Sequence, residues 1–167
     1  MIPAAVITVS DSCKRGERKD ESGPEVARVL EEAGFEVVLE RVTADEVEEI
    51  RAALREGLSA ARLVVTTGGT GIGERDVTPE ATRPLCEREL EGVAELMRAE
   101  GLKETKYAAL SRSFCGTLGQ GVLLNLPGSP RGAVTSLRAA LPLLAHVLSV
   151  LGGNHRHEDS ALTREAD

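Results

Sequence analysis

A glycine-rich segment near the middle of the chain carries the residues best suited to chemistry, Gly68-Gly69-Thr70-Gly71-Ile72-Gly73-Glu74-Arg75-Asp76. Glycine lacks a Cβ atom, so its backbone N–H can approach an anion closely, and Thr70 adds a hydroxyl group. The segment is neither a Walker A loop, since it has no lysine, nor a dinucleotide fingerprint, since Glu74 occupies the place of the third glycine. The alternative to a binding site is a tight loop that only connects a strand to a helix. The number of glycines and their Thr and Arg-Asp neighbours favour binding of a phosphate-bearing small molecule.

Polar residues also follow the other predicted strands. Ser10 and Asp11 come after a first apolar run, Asp45 after a second, and the glycine segment after a third. A fourth polar turn, residues 125–130, ends a later strand. Open parallel sheets bind their ligands beyond the carboxyl ends of the strands. We therefore expect these residues to converge on one site.

Asp45 and Asp76 are the candidate metal ligands. Mg²⁺ prefers oxygen ligands and typically takes one or two carboxylates, and nucleotidyl transfer depends on positioning and on neutralising phosphate charge. Each residue also has an ordinary structural explanation. Asp45 lies in a capping-box pattern that begins at Thr43 and would complement a helix dipole, and Asp76 would cap a loop. From spacing alone, the structural explanation is the better one for Asp45. For Asp76, the structural and the catalytic explanations are equally well supported.

The elements that must position these residues alternate between strands and helices. Apolar, β-branched runs at 4–9, 35–42 and 62–67 predict strands, and capping patterns at Ser22, Thr43 and Thr78 predict the helices between and after them. This rhythm predicts an α/β fold with a largely parallel sheet.

The second half of the chain is less regular. Residues 85–101 predict two helices broken near Gly92, residues 111–115 and 121–126 predict a strand pair, and a long apolar helix follows Pro130. Residues 1–153 are predicted to form one domain, and residues 154–167 a flexible polar tail.

Composition narrows the class of partner. Apolar residues make up 41% of the 167 residues, aromatic residues only 2%, and the net charge is −7. An acidic chain with few aromatic residues argues against a nucleic-acid partner.

Three cysteines without paired spacing indicate reduced thiols and a cytoplasmic protein. The longest apolar run, 139–145, is far shorter than the roughly 20 residues of a membrane span, and no signal-peptide pattern begins the chain.

Two neighbouring segments carry a family resemblance. Residues 66–71, Thr-Thr-Gly-Gly-Thr-Gly, and 75–82, Arg-Asp-Val-Thr-Pro-Glu-Ala-Thr, closely resemble the signature of the molybdopterin adenylyltransferase family of MogA- and MoaB-like proteins. The same domain forms the G domain of gephyrin-type fusion proteins. Weaker matches follow in the family's order: Ser10-Asp11-Ser12, Asp20-Glu21-Ser22-Gly23-Pro24, Asp45-Glu46, Ser111-Arg112-Ser113 and Asn125-Leu126-Pro127-Gly128-Ser129-Pro130. Ala44 departs from the proline that many members carry there.

The resemblance implies a function. Members of this family join AMP from Mg-ATP to the phosphate of molybdopterin and release pyrophosphate. The implied fold is a three-layer α/β/α sandwich, usually a homotrimer, with Asp45 and Asp76 as catalytic residues and Mg²⁺ ligands. The residues expected to bind the phosphates of nucleotide and pterin are Ser10, Asp11, Ser22, Gly23, Gly68, Gly69, Thr70, Gly71, Ser111, Ser113, Asn125, Pro127, Gly128 and Ser129.

Two other hypotheses remain open at this point. The chain could be a pterin- or nucleotide-binding module without turnover, or an inactive paralogue in the same pathway. It could also share the fold and act on other nucleotides, which the run of residues 75–80 argues against. The presence of both Asp45 and Asp76 favours the enzyme, with small-molecule substrates as its partners.

Overall fold

One six-stranded sheet forms the centre of the protein, whose computed structural model describes residues 1–153. The strands run in spatial order β2-β1-β3-β6-β5-β4. Four adjacent strands, β2, β1, β3 and β6, are parallel to one another. Strand β5 is antiparallel to both of its neighbours, β6 and β4. The strands are β1 (Ile2–Val9), β2 (Phe35–Thr43), β3 (Leu63–Thr67), β4 (Arg88–Glu89), β5 (Phe114–Leu118) and β6 (Gly121–Leu126). The expected α/β fold with a mostly parallel sheet is confirmed.

Helices cover both faces of the sheet. They are α1 (Asp11–Lys14), α2 (Ser22–Glu32), α3 (Val47–Ala60), α4 (Thr78–Thr82), α5 (Glu91–Leu102) and α6 (Pro130–Leu151). Successive residues of a strand point to opposite faces, so Val65 packs in the cluster that includes α2, α5 and α6, and Val64 packs in the cluster of α3 and α4. The result is the three-layer sandwich.

The segment between α4 and α5 differs from the expected pair of helices. Helix α5 runs unbroken through Gly92, and the chain before it forms a 3-10 turn, Arg83–Leu85, and the short strand β4. Backbone bonds from Glu87 to Thr117 (2.8 Å) and from Leu90 to Cys115 (2.8 Å) tie this segment to β5. Pairing with the sheet edge therefore overrides the local helical pattern.

The expected helix caps are also displaced. Ser22 and Thr78 are the first residues of α2 and α4, and Thr43 ends β2 while α3 begins at Val47. The hydroxyl of Thr78 donates to the carbonyl of Gly68 (2.9 Å), and the carboxylate of Asp20 accepts the N–H of Gly23 near the start of α2. Thr78 thus bonds to the glycine-rich loop, and Asp20 takes the capping position that the sequence pattern assigns to Ser22.

Helix α6 begins after Ser129, whose hydroxyl accepts the N–H of Gly132 as an N-cap. By length and composition alone α6 could cross a membrane. Its residues Leu137, Leu144 and Leu148 are fully buried against the sheet. The predicted tail, 154–167, lies outside the described residues.

Candidate functional site

Two cavities lie beside the carboxyl ends of the parallel strands and share Gly128 and Ser129. The polar cavity, about 570 Å³, is lined by residues that follow β1, β2 and β3: Ser10, Arg18, Lys19, Ser22, Asp45, Gly68, Gly69 and Asp76 among them. The apolar cavity, about 500 Å³, is lined by Thr70, Gly71, Ile72, Met97, Tyr107, Leu110, Ser111, Ser113 and Pro127 among others. The strand ends thus bring together residues that are more than 100 positions apart in the chain.

Asp45 is held at the polar cavity by Asp11. The N–H of Asp11 donates to Oδ2 of Asp45 (2.8 Å), and the N–H of Asp45 donates to Oδ1 of Asp11 (2.9 Å). Arg75 donates to both carboxylate oxygens of Asp11 and to Glu46 (2.8 Å). Asp11 lines neither cavity. Its carboxylate fixes the position of Asp45, whereas the sequence indicated a phosphate contact.

The pKa values of the two carboxyl groups in this pair are shifted in opposite directions. Hydrogen bonding from the Asp45 backbone, together with Arg75, lowers the pKa of Asp11 below its ordinary value. Burial raises the pKa of Asp45, and the negative charges of Asp11 and Asp76 raise it further. An ionised Asp45 is therefore costly without a positive charge beside it.

Close packing around Asp76 explains two glycines of the loop. Oδ2 of Asp76 accepts the N–H of Gly73 (2.8 Å), and a Cβ atom at Gly71 or Gly73 would lie 2.8 or 2.9 Å from that same oxygen. The glycines let the backbone wrap closely around one carboxylate. The local cap expected at Asp76 is present, and its side chain lines the polar cavity as well.

Gly68 and Gly69 have positive φ angles of 104° and 68°, a region that favours glycine. A Cβ atom at Gly68 would lie 2.2 Å from the carbonyl oxygen of Val9, and one at Gly69 would lie 2.2 Å from Oγ1 of Thr78. The backbone thus passes close to β1 and α4. No group in the described part of the chain accepts the N–H groups of Gly69, Thr70 and Gly71, so these donors are free for an anion.

Serine side chains border both cavities. Ser111 and Ser113 share a hydroxyl hydrogen bond (2.8 Å) at the apolar cavity, and Ser129 lies at the junction of the two cavities. Ser10 accepts the N–H of Cys13 as the N-cap of α1 and lines the polar cavity. Ser22 is buried at the same cavity.

Two residues expected to bind phosphate lie elsewhere. The N–H of Gly23 is taken by Asp20 (2.9 Å), and a Cβ atom there would lie 2.4 Å from both Thr8 and Asp20. Asn125 is fully buried in β6, where its amide donates to Thr66 (3.0 Å) and its Oδ1 has no partner within the described residues. Neither residue lines either cavity, so the structure gives both a packing position.

Arg18 and Lys19 line the polar cavity, and the sequence did not indicate them as site residues. They precede Asp20 in a polar stretch without a recognisable motif, so no spacing identifies them. These two cations lie at a cavity that Glu21, Asp45 and Asp76 also line, and they are the side chains there that can attract phosphate.

The donor set limits which metal ion the site could hold. Within residues 1–153, no group of three or more His, Cys, Asp or Glu side chains is arranged to hold a metal. Glu21, Asp45 and Asp76 line one cavity, and these three carboxylates do not form such a group. A closed zinc site needs four protein ligands, whereas Mg²⁺ is commonly bound by one or two carboxylates together with water and substrate phosphates. The residues present fit Mg²⁺.

Comparison with known proteins gives a consistent family. A family model described as "probable molybdopterin binding domain" matches residues 5–146. The chain is 36% identical to the molybdopterin adenylyltransferase of Helicobacter pylori strain J99, covering 92% of this chain and 90% of the relative. It is 40% identical to the molybdopterin adenylyltransferase of Pyrococcus furiosus, covering 86% and 87%. It also matches the molybdenum cofactor synthesis protein cinnamon of Drosophila melanogaster at 37% identity, spanning only 27% of that longer protein.

Solved structures agree with this similarity. The molybdopterin biosynthesis enzyme MoaB of Thermus thermophilus superimposes with a TM-score of 0.86 at 46% identity, over 92% of this chain and 98% of that one. The tungsten cofactor synthesizing protein MoaB of Pyrococcus furiosus gives a TM-score of 0.84 at 38% identity, over 90% and 97%.

Proposed function

This chain belongs to the family of molybdopterin-binding domains of molybdenum cofactor biosynthesis, and on that premise we propose that it transfers the adenylyl group of ATP to molybdopterin and releases pyrophosphate. The names of the Helicobacter and Pyrococcus relatives, which match over most of their length, support a nucleotidyltransferase.

The observation that carries the proposal is the pair of cavities joined at Gly128 and Ser129. The polar cavity suits a triphosphate, because Arg18, Lys19 and Gly69 line it. The apolar cavity suits a pterin ring, because most of its exposed wall is apolar surface. Hydroxyl groups and the charged residues Arg98, Glu104 and Arg131 also line it. Substrates in the two cavities would meet at Ser129.

Asp45 and Asp76 would hold Mg²⁺ in this proposal. Burial and neighbouring negative charges raise the pKa of Asp45, and a cation offsets the cost of ionising it. When bound, Mg²⁺ neutralises phosphate charge and orients phosphate oxygens. The chain's own contribution is to place two carboxylates at one wall, with Asp45 fixed by Asp11 and Asp76 fixed by Gly73.

The reaction balances without a general base. An ionised phosphate oxygen of molybdopterin forms a bond to the α-phosphorus of ATP, and the bond from that phosphorus to the β-bridging oxygen breaks, its electron pair leaving with pyrophosphate. Catalysis of such a transfer rests on positioning and electrostatic stabilisation. The free N–H groups of Gly69, Thr70 and Gly71 and the hydroxyl groups of Thr70 and Ser129 supply donors for the phosphates.

The proposal includes a homotrimer in the cytoplasm. The outer face of α6 exposes apolar surface, with Leu143 41% exposed and Pro142 beside it, which another copy of the chain could cover. The three cysteines are free thiols, as a reducing compartment maintains.

The direct test incubates the purified protein with molybdopterin and Mg-ATP and follows adenylylated pterin and pyrophosphate. Both products should appear, and replacing ATP with its α,β-methylene analogue should prevent their formation. Pterin binding without conversion would instead support a binding module without turnover. Conversion with a different nucleoside triphosphate and not with ATP would support the third hypothesis.

A further inference from the structure

Arg112 contacts the glycine-rich loop from a distant part of the chain. Its backbone N–H donates to the carbonyl of Thr70 (2.8 Å), its Nε donates to the carbonyl of Gly71 (2.7 Å), and its Nη2 donates to the carbonyl of Asp76 (2.6 Å). The remaining arm of the guanidinium forms an ion pair with Glu80 of α4. One residue therefore binds both ends of the loop that carries Asp76.

The loop has few internal bonds of its own. Asp76 and Gly73 exchange two bonds, N–H to carbonyl at 3.0 Å and N–H to carboxylate at 2.8 Å. Glycines lose more conformational freedom on ordering than other residues, so a loop with Gly71 and Gly73 needs external contacts to keep one conformation. Arg112 supplies three of them, and Arg75 supplies others by binding Asp11 and Glu46. The contacts of Arg112 hold the backbone from which the carboxylate of Asp76 projects.

The contacts require the shape of an arginine. Three nitrogens of one planar group donate in three directions, to Gly71, to Asp76 and to Glu80. A lysine ammonium is a single point of charge on a flexible stem and cannot span these acceptors. The neighbours of Arg112 in sequence, Ser111 and Ser113, line the apolar cavity. Arg112 thus joins a wall of the apolar cavity to the backbone of Asp76, a residue that lines the polar cavity.

We propose that Arg112 is a positioning residue, which acts through Asp76 and holds the two cavities in a fixed relative arrangement. Its kinetic consequence rests on the proposed adenylyl transfer: the nucleotide phosphates and the pterin phosphate must meet in line, and small misplacements of reacting groups cost large factors in rate. Its structural consequence, an ordered loop from Thr70 to Asp76, does not depend on the reaction.

The structural arm of the test measures amide hydrogen exchange in the ligand-free protein. Arg112→Gln should speed exchange at the N–H groups of Gly73 and Asp76 by at least about tenfold, and Arg112→Lys should give nearly the same increase. Arg138→Gln is the matched control, since the exposed Arg138 of α6 forms one ion pair within residues 1–153, with Glu32 at 3.8 Å. Unchanged exchange in both Arg112 variants would overturn the proposal.

The kinetic arm separates positioning from general destabilisation. Arg112→Gln and Arg112→Lys should each lower kcat by about 10- to 100-fold with KM for molybdopterin changed less than about threefold, because the loss falls on alignment in the transition state. Added guanidinium ion, below denaturing concentration, should restore part of kcat in Arg112→Ala and should leave Arg138→Gln unchanged. A rise in KM alone, or full activity in Arg112→Lys, would overturn the proposal. Absence of adenylylation in the wild-type chain would overturn the proposed function and leave the exchange experiment to decide the role of Arg112.

Discussion

Asp11 and Asp45 lie 34 residues apart in the chain, and each donates its backbone N–H to the carboxylate of the other, at 2.8 and 2.9 Å. Asp11 is the first residue of α1, just beyond the end of β1, and Asp45 lies just beyond the end of β2. The exchange therefore joins the carboxyl ends of two adjacent strands and leaves Asp45 at the wall of the polar cavity. Arg75 forms an ion pair with the carboxylate of Asp11 at 2.9 Å.

Asp45→Asn and Asp76→Asn should each lower turnover by roughly 100-fold or more, the scale of losing one preorganised electrostatic contact, while pterin still binds. The amide keeps the shape of the side chain and gives up the charge that attracts Mg²⁺. Single-turnover assays with Mg-ATP and calorimetry with pterin measure the two effects. Wild-type rates in both variants would contradict the assignment and favour a binding module.

The same Asp45→Asn variant should not be less stable at pH 7. The folded-state pKa of Asp45 is raised, mainly by burial, so its ionisation costs stability at pH values above that pKa. The cost declines as the pH falls through that pKa and disappears below the ordinary value of the unfolded chain. Removing the charge removes the cost. Thermal unfolding of ligand-free protein should show a Tm equal to or above that of the wild type, and a clear decrease would show that the bonds with Asp11 outweigh the charge.

Arg75→Gln should shift the acid limb of the pH–rate profile to higher pH. The active form carries an ionised Asp45, so kcat falls as the pH decreases toward the pKa of that group. Burial, Asp11 and Asp76 raise this pKa and Arg75 lowers it, so loss of Arg75 raises it further. Arg28→Gln, which removes an exposed arginine paired with Glu25 and Glu32 on α2, is the control and should leave the limb in place. A shift to lower pH would contradict the expected electrostatics.

Gly69→Ala should destabilise the protein more than Gly16→Ala does. Both glycines have positive φ, 68° and 73°, and an alanine in such a conformation costs roughly 1–2 kcal/mol. Open space surrounds Gly16, whereas a Cβ atom at Gly69 meets Oγ1 of Thr78 at 2.2 Å and Oδ1 of Asp45 at 3.3 Å, which adds about 1–3 kcal/mol of overpacking. Urea unfolding of both variants measures the difference. Equal losses would show that the loop relaxes around the methyl group.

The assembly should have a mass about three times the 17.7 kDa of the chain, measured by light scattering at micromolar concentration. Leu143→Asp should lower that mass, because it places a charge on the apolar outer face of α6. Val38→Asp, a substitution of similar exposure (43% against 41%) on the edge strand β2, is the control. A monomer mass for the wild-type chain would contradict the trimer.

Several features of the fold were predictable because their causes are local. The β-branched runs of β1 and β3 and the apolar period of α6 identify these elements within a few residues. The prediction of two helices over residues 85–101 is wrong, because a charged helical pattern gives no sign that residues 88–89 pair with the sheet edge. The break expected near Gly92 is wrong as well, since α5 contains this glycine without interruption.

The sequence by itself determined that polar residues would gather at the carboxyl ends of parallel strands. The polar and glycine-rich segments directly follow the strands along the chain, and parallel strands end at the same edge of the sheet. Only the tertiary structure decided what each residue does there. Asp45 is the partner of Asp11 rather than a residue in the first turn of α3, Gly23 and Asn125 are packed away from both cavities, and Arg112 binds the backbone around Asp76. The reason is physical: such contacts join residues far apart in the chain, and no local pattern records which side chain meets which backbone group once the strands are paired.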